Sequence, residues 1–412
     1  MTSEQRLEVE SFGRHGEGVA RTPDGPVYLP GALPGETVRA TVEGERGTVM
    51  EILHRSPDRI DPFCPHYDRC GGCSTQHWRE APYRAWKRDL VVIALAHRHI
   101  EAPVGELVDA HGAGRRRVSL HLRYAGGRTL AGFMEAGSHR LLDLDSCPIL
   151  VPALRDAPRI ARLLGSPFAS HAKSLDISVT ATESGLDCNI RAPRNPPRQI
   201  EVALAEIAMR EDLARVTING EAVIERRPPQ IRAGSVRIVP PPGGFLQATA
   251  AGEAFLAQLI VDAVGTAPRI ADLFCGVGPF ALRLAGSASV LAIDSDAKAI
   301  AALTRAAHHA TGLKPVQAVT RDLYRRPLTA TDLEPFDAIV FDPPRAGAET
   351  QTRAIAQARA KTVVAVSCDP ATFARDAAIL LAGGYALVSV TPVDQFKWSA
   401  HVEIAGLFRR QG

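Results

Sequence analysis

A cysteine at the end of an apolar run is the first residue whose setting suggests chemistry. Cys368 closes the run VAVSC, and Asp369 and Pro370 follow it as a suitable N-cap and first residue of a helix. The helix dipole favours a thiolate at this position, although the charge of Asp369 opposes it. A free cysteine is most often a buried structural residue. The position of Cys368 at a strand end, where ligands bind, instead favours a nucleophile.

A short glycine loop, DLFCGVGPF at residues 272–280, follows one predicted strand and precedes a helix. Gly276 and Gly278 allow backbone amides to approach a ligand at the helix N-terminus. Asp294 ends the next strand, roughly 20 residues further on, where an acid can bind ribose hydroxyls. The loop lacks the complete G-x-G-x-x-G run of dinucleotide sites. It therefore favours an adenosyl ligand such as S-adenosylmethionine.

Two more aspartates follow strands of the same series. Asp342, in FDPPRAG, ends the fourth strand and is predicted to lie at the edge that carries the glycine loop. The prolines after it stiffen the loop and remove two backbone donors. In a methyltransferase-like sheet, a rigid Asp-Pro-Pro at this position is usually where the target base sits, and an ordinary turn is the alternative. Asp322, after the third strand, either faces the adenine edge or caps a helix.

A thiolate beside a methyl donor suggests one reaction in particular. Carbon 5 of uracil is too weak a nucleophile to take a methyl group directly, whereas addition of a thiolate at carbon 6 produces an enolate that can attack the methyl sulfonium. A base must then remove the proton from carbon 5, so that elimination releases the enzyme. Glu403 and its neighbour His401, on the last predicted strand, are the candidates for this base.

The elements that must position these residues fall into three parts. From about residue 245 strands and helices alternate, which predicts a doubly wound α/β sheet. Residues 1 to about 55 contain short strands broken by turns, typical of a five-stranded OB-like barrel or of a generic β domain. Between them, strand-like runs from about 108 to 240 follow a helix at 87–100. The basic residues there either contact phosphates or form a solvated strand face; they are Arg115, Arg116, Arg117, Arg123 and Arg128.

Length and composition limit the possibilities further. At 412 residues the chain is too long for one core and should form two or three domains. The net charge of +3 permits a nucleic-acid partner without requiring one. The sequence shows no signal peptide. It also has no apolar run that approaches the roughly 20 residues needed to span a membrane, and a cytoplasmic protein is predicted. In that reducing compartment, clustered cysteines indicate metal binding or catalysis rather than disulfides.

Four motifs in order resemble one enzyme family. DLFCGVG, DPPRAG, SCDPATFARD and HVE are similar to the motifs of the RNA uracil-C5 methyltransferases, the TrmA-like class that acts on tRNA or 23S rRNA. The resemblance covers nearly the whole chain, and GEGVA with YLPGALPGE resembles a TRAM domain, an RNA-binding β-barrel. It implies a Rossmann-like class I methyltransferase domain in which Cys368 is the nucleophile and Glu403 the base.

The resemblance also implies a set of positions around the cofactor. Asp342 would lie close to the target base as well. The implied cofactor-binding residues are Gln247, Phe274, Gly276, Gly278, Asp294, Asp322 and Asp342. Two positions depart from the family: Pro279 stands where relatives often carry Asn, Thr or Gly, and FKWSAHVE lacks the proline that commonly follows the phenylalanine.

A cysteine cluster is implied by the same resemblance. In the cluster-bearing members of the family, three close cysteines and one distant cysteine bind a [4Fe-4S] cluster. Here Cys64, Cys70 and Cys73 form C-x5-C-x2-C, and Cys147 is the natural fourth ligand. Four thiolates suit iron–sulfur or zinc by softness, but zinc sites usually combine two C-x2-4-C units, so the cluster is favoured. Cys275, beside the cofactor loop, is predicted to be a packing residue.

The complete prediction is a three-part methyltransferase. A TRAM-like barrel spans 1–56, a β-rich central domain with the cluster spans 57–77 and 108–244, and the methyltransferase domain spans 78–107 and 245–412. The predicted partner is structured RNA, with 23S rRNA first and tRNA second, and the target base must be unpaired or flipped out. A monomer is the default. A cytosine-C5 methyltransferase and a non-catalytic RNA-binding protein are the alternatives.

Overall fold

The structure is a computed structural model that describes residues 3–193 and 196–411. Its first unit is a closed barrel, and over the described residues the barrel has five strands: β1 (Ser3–Phe12), β2 (Glu17–Thr22), β3 (Gly25–Pro30), β4 (Thr37–Glu43) and β5 (Arg46–His54). They close in the order β1-β2-β3-β5-β4. Alternate residues Val38, Ala40 and Val42 of β4 face the barrel core, as the two-residue period of a strand requires. The predicted five-stranded barrel is confirmed.

The long helix after the barrel packs both against the barrel and against the C-terminal sheet. Helix α1 (Glu80–Ala96) follows the cysteine segment and buries two different faces. Tyr83 and Trp86 pack with Leu33 of the barrel, whereas Val91 and Leu95 pack under the C-terminal sheet. This packing agrees with the grouping of residues 78–107 with the methyltransferase domain, although the domain boundaries stay a prediction.

The central part is a β-sheet with helices on it. After β6 (Val108–Asp109), its elements are β7 (Arg117–Ala125), β8 (Arg128–Met134), β9 (Leu141–Asp143), α2 (Ala157–Gly165), β10 (Ser174–Thr182), β11 (Gly185–Arg191), α3 (Arg198–Arg210), β12 (Arg215–Ile218) and β13 (Glu221–Glu225). Counted over the described residues, seven strands lie in the order β13-β12-β11-β10-β7-β8-β9. Leu164 of α2 and Leu204 of α3 share one buried cluster with Leu120 and Ile177 of the sheet. These two helices were not predicted.

The C-terminal part alternates strands and helices, as predicted. Its elements are β14 (Ile231–Ala233), β15 (Val236–Ile238), α4 (Ala250–Val264), β16 (Arg269–Leu273), α5 (Pro279–Leu284), β17 (Ser289–Asp294), α6 (Ala297–His309), β18 (Val316–Thr320), α7 (Ala330–Leu333), β19 (Ala338–Phe341), α8 (Glu349–Gln357), β20 (Thr362–Ser367), α9 (Pro370–Ala382), β21 (Tyr385–Asp394) and β22 (Glu403–Arg410).

The main sheet places the candidate site at one edge. Within the described ranges eight strands lie in the order β18-β17-β16-β19-β20-β22-β21-β6. The strands from β16 to β20 are parallel, and β22 runs antiparallel to β20. The chain moves outward from β16 to β18 and returns to β19, so a topological switch point lies at the carboxyl ends of β16 and β19, where ligands bind in such sheets.

Both faces of this sheet are buried, which explains the apolar runs of its strands. In β19, Ala338 and Val340 face one core cluster, while Ile339 and Phe341 face the other. The hairpin β14–β15 packs in the first of these clusters through Ile231 and Ile238. Among the described residues, no helix combines the length and apolar character that crossing a membrane requires.

Candidate active site

A pocket of about 460 Å³ opens at the predicted edge of the sheet. The predicted residues that line it are Gln247, Phe274, Gly276, Asp294, Asp322, Asp342, Cys368 and Glu403. Gly278 is not part of the lining. Its φ is +78°, and a Cβ atom there would meet Cδ1 of Leu303 at 2.4 Å, so this glycine lets α6 pack closely under the loop. His401 is exposed and also lies outside the lining.

The glycine loop is held by the acid at the end of the next strand. The chain turns at Phe274 and Gly276, which have φ values of +62° and +55°. The Gly276 N–H donates to the Asp294 carboxylate at 2.9 Å, and the other carboxylate oxygen accepts the N–H of Asp296 at 2.8 Å. Pro279 is the first residue of α5, where a backbone N–H has no partner within the helix. The departure at Pro279 therefore costs this helix no hydrogen bond.

An aromatic pair forms another wall of the pocket. The rings of Phe274 and Tyr324 lie 5.6 Å apart, and the Tyr324 hydroxyl donates to the Gly347 carbonyl at 2.9 Å. Asp322 accepts the Tyr324 N–H at 2.9 Å, so its carboxylate caps the turn after β18 while it also lines the pocket. Tyr324 was missed by the sequence analysis. An aromatic residue two positions after a predicted cofactor acid is the signal that could have identified it.

Cys368 lies just before the N-terminus of α9, as predicted. Asp369 is the N-cap, and its carboxylate accepts the N–H groups of Ala371 and Thr372, both at 3.0 Å. Burial raises the pKa of the Cys368 thiol to about 12, the charges of Glu403 and Asp342 add to this, and Arg345 opposes it. Burial and the two nearby carboxyl groups therefore outweigh the helix dipole and favour the protonated thiol.

Hydrogen bonds connect four polar side chains in the site: Asp342, Gln247, Gln395 and Glu403. Gln247 donates to Asp342 at 2.8 Å, and Gln395 donates both to Gln247 at 2.7 Å and to Glu403 at 2.7 Å. Burial raises the pKa of Asp342 to about 7. Burial, with the charge of Asp342 second, raises the pKa of Glu403 well above its usual value. Asp342 can thus hold or accept a proton near neutral pH. Gln395 was not predicted.

The comparisons with known proteins agree with this geometry. The profile of the family described as tRNA (Uracil-5-)-methyltransferase matches residues 206–411, and that of the TRAM domain matches residues 2–47. A 23S rRNA (uracil(1939)-C(5))-methyltransferase from Chromohalobacter salexigens is 34% identical, and the alignment covers 98% of this chain and 89% of that protein. The chain belongs to the RNA uracil-5 methyltransferase family. It is an S-adenosylmethionine-dependent enzyme that acts on RNA.

This RNA uracil-5 methyltransferase is also similar to other proteins over nearly its full length. An uncharacterized RNA methyltransferase of Brucella suis is 44% identical, with 100% of this chain and 99% of that protein covered. The crystal structure of the Pyrococcus abyssi tRNA (uracil-54, C5)-methyltransferase with S-adenosyl-L-homocysteine superposes with a TM-score of 0.75 at 20% identity, covering 98% of this chain and 100% of that one. That structure supports the fold. The predicted class I methyltransferase fold with an N-terminal TRAM domain is confirmed.

Arg116 and Arg117 of the methyltransferase make contacts that the sequence did not predict. Arg116 is buried, forms an ion pair with Glu253 at 2.6 Å and donates to the Gln247 carbonyl at 3.0 Å. Arg117 donates to the carbonyl groups of Gly243 and Gly244, at 3.2 and 3.1 Å. These two guanidinium groups therefore anchor the segment that carries Gln247. Because Arg116 is buried, it is not part of a solvated strand face.

The four cysteines predicted to bind a cluster come together without forming a finished ligand set. All seven cysteines, which lie within the described ranges, are free thiols. Burial raises the pKa of Cys147 to about 12, and the charges of Cys73, Cys64 and Cys70 add to the increase. Among the described residues, however, no group of three or more His, Cys, Asp or Glu side chains is arranged to hold a metal ion. By donor type the four thiols suit the cluster, and the cluster stays a prediction.

The remaining two cysteines pack in apolar cores. Cys188 is fully buried in the central cluster beneath the seven-stranded sheet. Cys275 is 4% exposed and belongs to a core cluster of the methyltransferase sheet, which confirms the predicted packing role.

The buried Asp342 carboxyl should make stability depend on pH. Its pKa is raised from 3.8 to about 7, so between these values the unfolded chain loses the proton while the folded protein keeps it. The free energy of unfolding therefore falls as pH rises from about 4 to 7, and the loss stays constant above that window. Asp342→Asn resembles the protonated acid and still accepts from Gln247. We expect it to raise the melting temperature by a few degrees at pH 8 and to leave it unchanged near pH 4.

Thermal melts of both proteins at the two pH values measure this difference. Asp24→Asn makes the same chemical change at an exposed turn and is the control, with no effect expected at either pH. An equal change in melting temperature for Asp342→Asn at pH 4 and pH 8 would mean that the pKa of this carboxyl is the same in the folded and the unfolded protein.

Proposed function

We propose that this enzyme transfers a methyl group from S-adenosylmethionine to carbon 5 of a specific uridine in 23S rRNA, through a covalent bond between Cys368 and carbon 6. One observation carries the proposal. The thiol of Cys368 and the carboxyl of Glu403 line the same pocket as the glycine loop and its aspartate, Asp294. A nucleophile, a base and an adenosyl-type site thus meet in one cavity, which is the set of groups that the reaction needs.

The cofactor end of the pocket has groups for each part of S-adenosylmethionine. Asp294 fits the ribose hydroxyls, and the Phe274 and Tyr324 rings offer apolar faces to the adenine. When bound, S-adenosylmethionine supplies the electrophilic methyl group and a positively charged sulfur. Arg345 also lines the pocket, and its charge opposes the rise in the pKa of the Cys368 thiol.

Each bond change can be assigned to one side chain. The Cys368 thiol first loses its proton to solvent, and the thiolate then adds to carbon 6 of the uracil and turns the ring into an enolate, whose carbon 5 takes the methyl group. The Glu403 carboxylate then removes the proton of carbon 5, the double bond between carbons 5 and 6 re-forms, and the bond from carbon 6 to sulfur breaks. Cys368 leaves as the thiolate and Glu403 passes its proton to solvent. The products are 5-methyluridine and S-adenosyl-L-homocysteine.

The RNA is proposed from the relatives. The 34% identical protein is named for a uracil of 23S rRNA, and this favours rRNA as the substrate class. The family description names tRNA, which keeps a tRNA uridine as the second candidate. The TRAM domain is an additional RNA-binding surface in either case.

RNA made with 5-fluorouridine tests the reaction and the substrate together. Fragments of 23S rRNA and tRNA transcripts are each incubated with enzyme and S-adenosylmethionine, and a denaturation-resistant complex is sought. Fluorine cannot leave carbon 5 as a cation, so the enzyme should stay joined to its substrate through Cys368, located by mass spectrometry of the peptide. No complex with any RNA would overturn the covalent mechanism and favour a non-catalytic binding protein. Methylation of matched cytidine RNA alone would favour the cytosine reaction.

We also propose that Cys64, Cys70, Cys73 and Cys147 bind a [4Fe-4S] cluster. The support is the effect of the other three thiols on the pKa of Cys147, the thiol chemistry of the four residues and their free state. Cys147→Ser is expected to remove most of the iron and acid-labile sulfide from protein purified without oxygen, because the cluster loses one of four ligands. Cys188→Ser, at a buried cysteine outside this group, should retain both. Zinc without sulfide in the unaltered protein would contradict the proposal.

A further inference from the structure

We propose that Gln395 is a positioning residue that holds the base Glu403 and the pocket residue Gln247 in one fixed array. This inference rests on the proposed function, because it requires Glu403 to be the base. Gln395 lies in the loop between β21 and β22 and is completely buried, with 0% of its surface exposed. Its amide nitrogen donates to Oε2 of Glu403 and to Oε1 of Gln247, both at 2.7 Å. Both protons of the amide therefore go to side chains of the site.

The array extends from one buried acid to the other. Gln247 donates its own amide to Asp342 at 2.8 Å, so two glutamines connect the carboxyl groups of Glu403 and Asp342. Over the described residues neither carboxyl group has an ion pair, and Gln395 is thus the group that fixes the orientation of Glu403. Without it, the carboxyl group could rotate away from carbon 5, and a misplacement of about 1 Å can cost about 100-fold in rate.

An uncharged donor suits a buried base better than a cation would. Burial raises the pKa of Glu403, and the hydrogen bond from Gln395 is the contact that lowers it. An amide stabilises the carboxylate only moderately, whereas a guanidinium ion would hold it ionised and make it a weak base. Gln395 therefore fixes the geometry and still allows Glu403 to take up a proton.

The backbone on both sides of Gln395 is fixed by helix α1. The buried Asp394 carboxylate accepts from Lys87 and from the Tyr83 hydroxyl, and Lys87 also donates to the Phe396 carbonyl at 3.2 Å. On the other side, Gly252 of α4 leaves the room that the Gln395 side chain occupies, since a Cβ atom there would lie 2.9 Å from it. A helix more than 300 residues away in sequence thus holds the loop that carries Gln395.

A misplaced Glu403 should produce a result that a general loss of stability would not produce. Glu403 acts only after carbon 5 has taken the methyl group, so a misplaced base slows elimination and leaves the earlier steps intact. With ordinary uridine RNA and S-adenosylmethionine, Gln395→Leu should release product about 100-fold more slowly. It should also accumulate a denaturation-resistant, methylated complex with RNA, which the unaltered enzyme does not accumulate.

A buried glutamine elsewhere in the same domain provides the matched control. Gln351 is 1% exposed, and it accepts the Leu328 N–H at 2.8 Å and donates to the Leu328 carbonyl at 3.2 Å. Gln351→Leu makes the same change at the same depth and should lower the melting temperature without trapping RNA. Gln395→Asn keeps the polarity but is one methylene too short for both contacts, so it should trap the complex even if Gln395→Leu fails to fold.

The outcomes separate this inference from the proposed function. If the unaltered enzyme joins 5-fluorouridine RNA, but both Gln395 variants turn over normally or lose complex and product together, the positioning role is wrong and the mechanism stands. If the unaltered enzyme joins no 5-fluorouridine RNA, the mechanism fails and the positioning role fails with it.

Discussion

Replacing Cys368 with alanine is expected to reduce methylation of RNA to background and to abolish the covalent complex with 5-fluorouridine RNA. The reason is chemical. Without addition of sulfur at carbon 6, carbon 5 of uracil has too little electron density to attack the methyl group. The measurement is the transfer of a labelled methyl group to RNA, with the complex followed on a denaturing gel.

The remaining parts of the site should survive this change. Cys368 lies just before the N-terminus of α9, whereas the loop that carries Gly276 is held by its own hydrogen bond to Asp294. Binding of S-adenosylmethionine, measured by calorimetry, should therefore stay within a few-fold of that of the unaltered enzyme. Cys188→Ala, in the central core, is the control and should methylate RNA normally. Methylation above background by Cys368→Ala would exclude Cys368 as the nucleophile.

The sequence predicted the residues whose positions follow from local rules. A strand that ends in a polar residue delivers it to the carboxyl edge of a parallel sheet, and this rule was enough for Asp294, Asp342 and Cys368. The N-cap role of Asp369 followed from its residue type and from the proline after it. In each case the information lies within a few residues of the chain.

Roles that depend on distant contacts could not be predicted. Gln395 functions through Gln247, 148 residues away, and Arg116 reaches Glu253 across 137 residues. Gly278 resembles a ligand-binding glycine in sequence, but the side chain of Leu303 explains it instead. Helices α2 and α3 were missed because the central part was interpreted from its strands alone, although both helices complete its core.

The pKa of the Cys368 thiol also depends on residues that are distant in sequence, so local rules did not predict it. The position of Cys368 before a helix predicted an easily ionised thiol, yet burial and the charges of Glu403 and Asp342 raise its pKa to about 12. Those two carboxyl groups come from β22 and from the end of β19, and only the folded sheet brings them near the thiol. Burial and the two carboxyl groups therefore favour the protonated form of the Cys368 thiol.

Replacing Glu403 with glutamine is expected to separate the two halves of the reaction. The glutamine retains the size of the side chain and can still accept a hydrogen bond from Gln395, but it cannot accept a proton. Release of product should fall by about 10²- to 10⁴-fold, the range attributed to general base catalysis. Addition of Cys368 and methyl transfer should continue, so a methylated complex of enzyme and ordinary uridine RNA should accumulate.

The complex is measured on a denaturing gel with a labelled methyl group, in the presence of an excess of enzyme over RNA. Its appearance with Glu403→Gln and its absence with the double variant Cys368→Ala, Glu403→Gln would assign bond formation to the thiol and bond cleavage to the carboxylate. Normal turnover of Glu403→Gln would exclude this residue as the base. Since Asp342 is the other buried acid connected to the array, it would then be the next candidate.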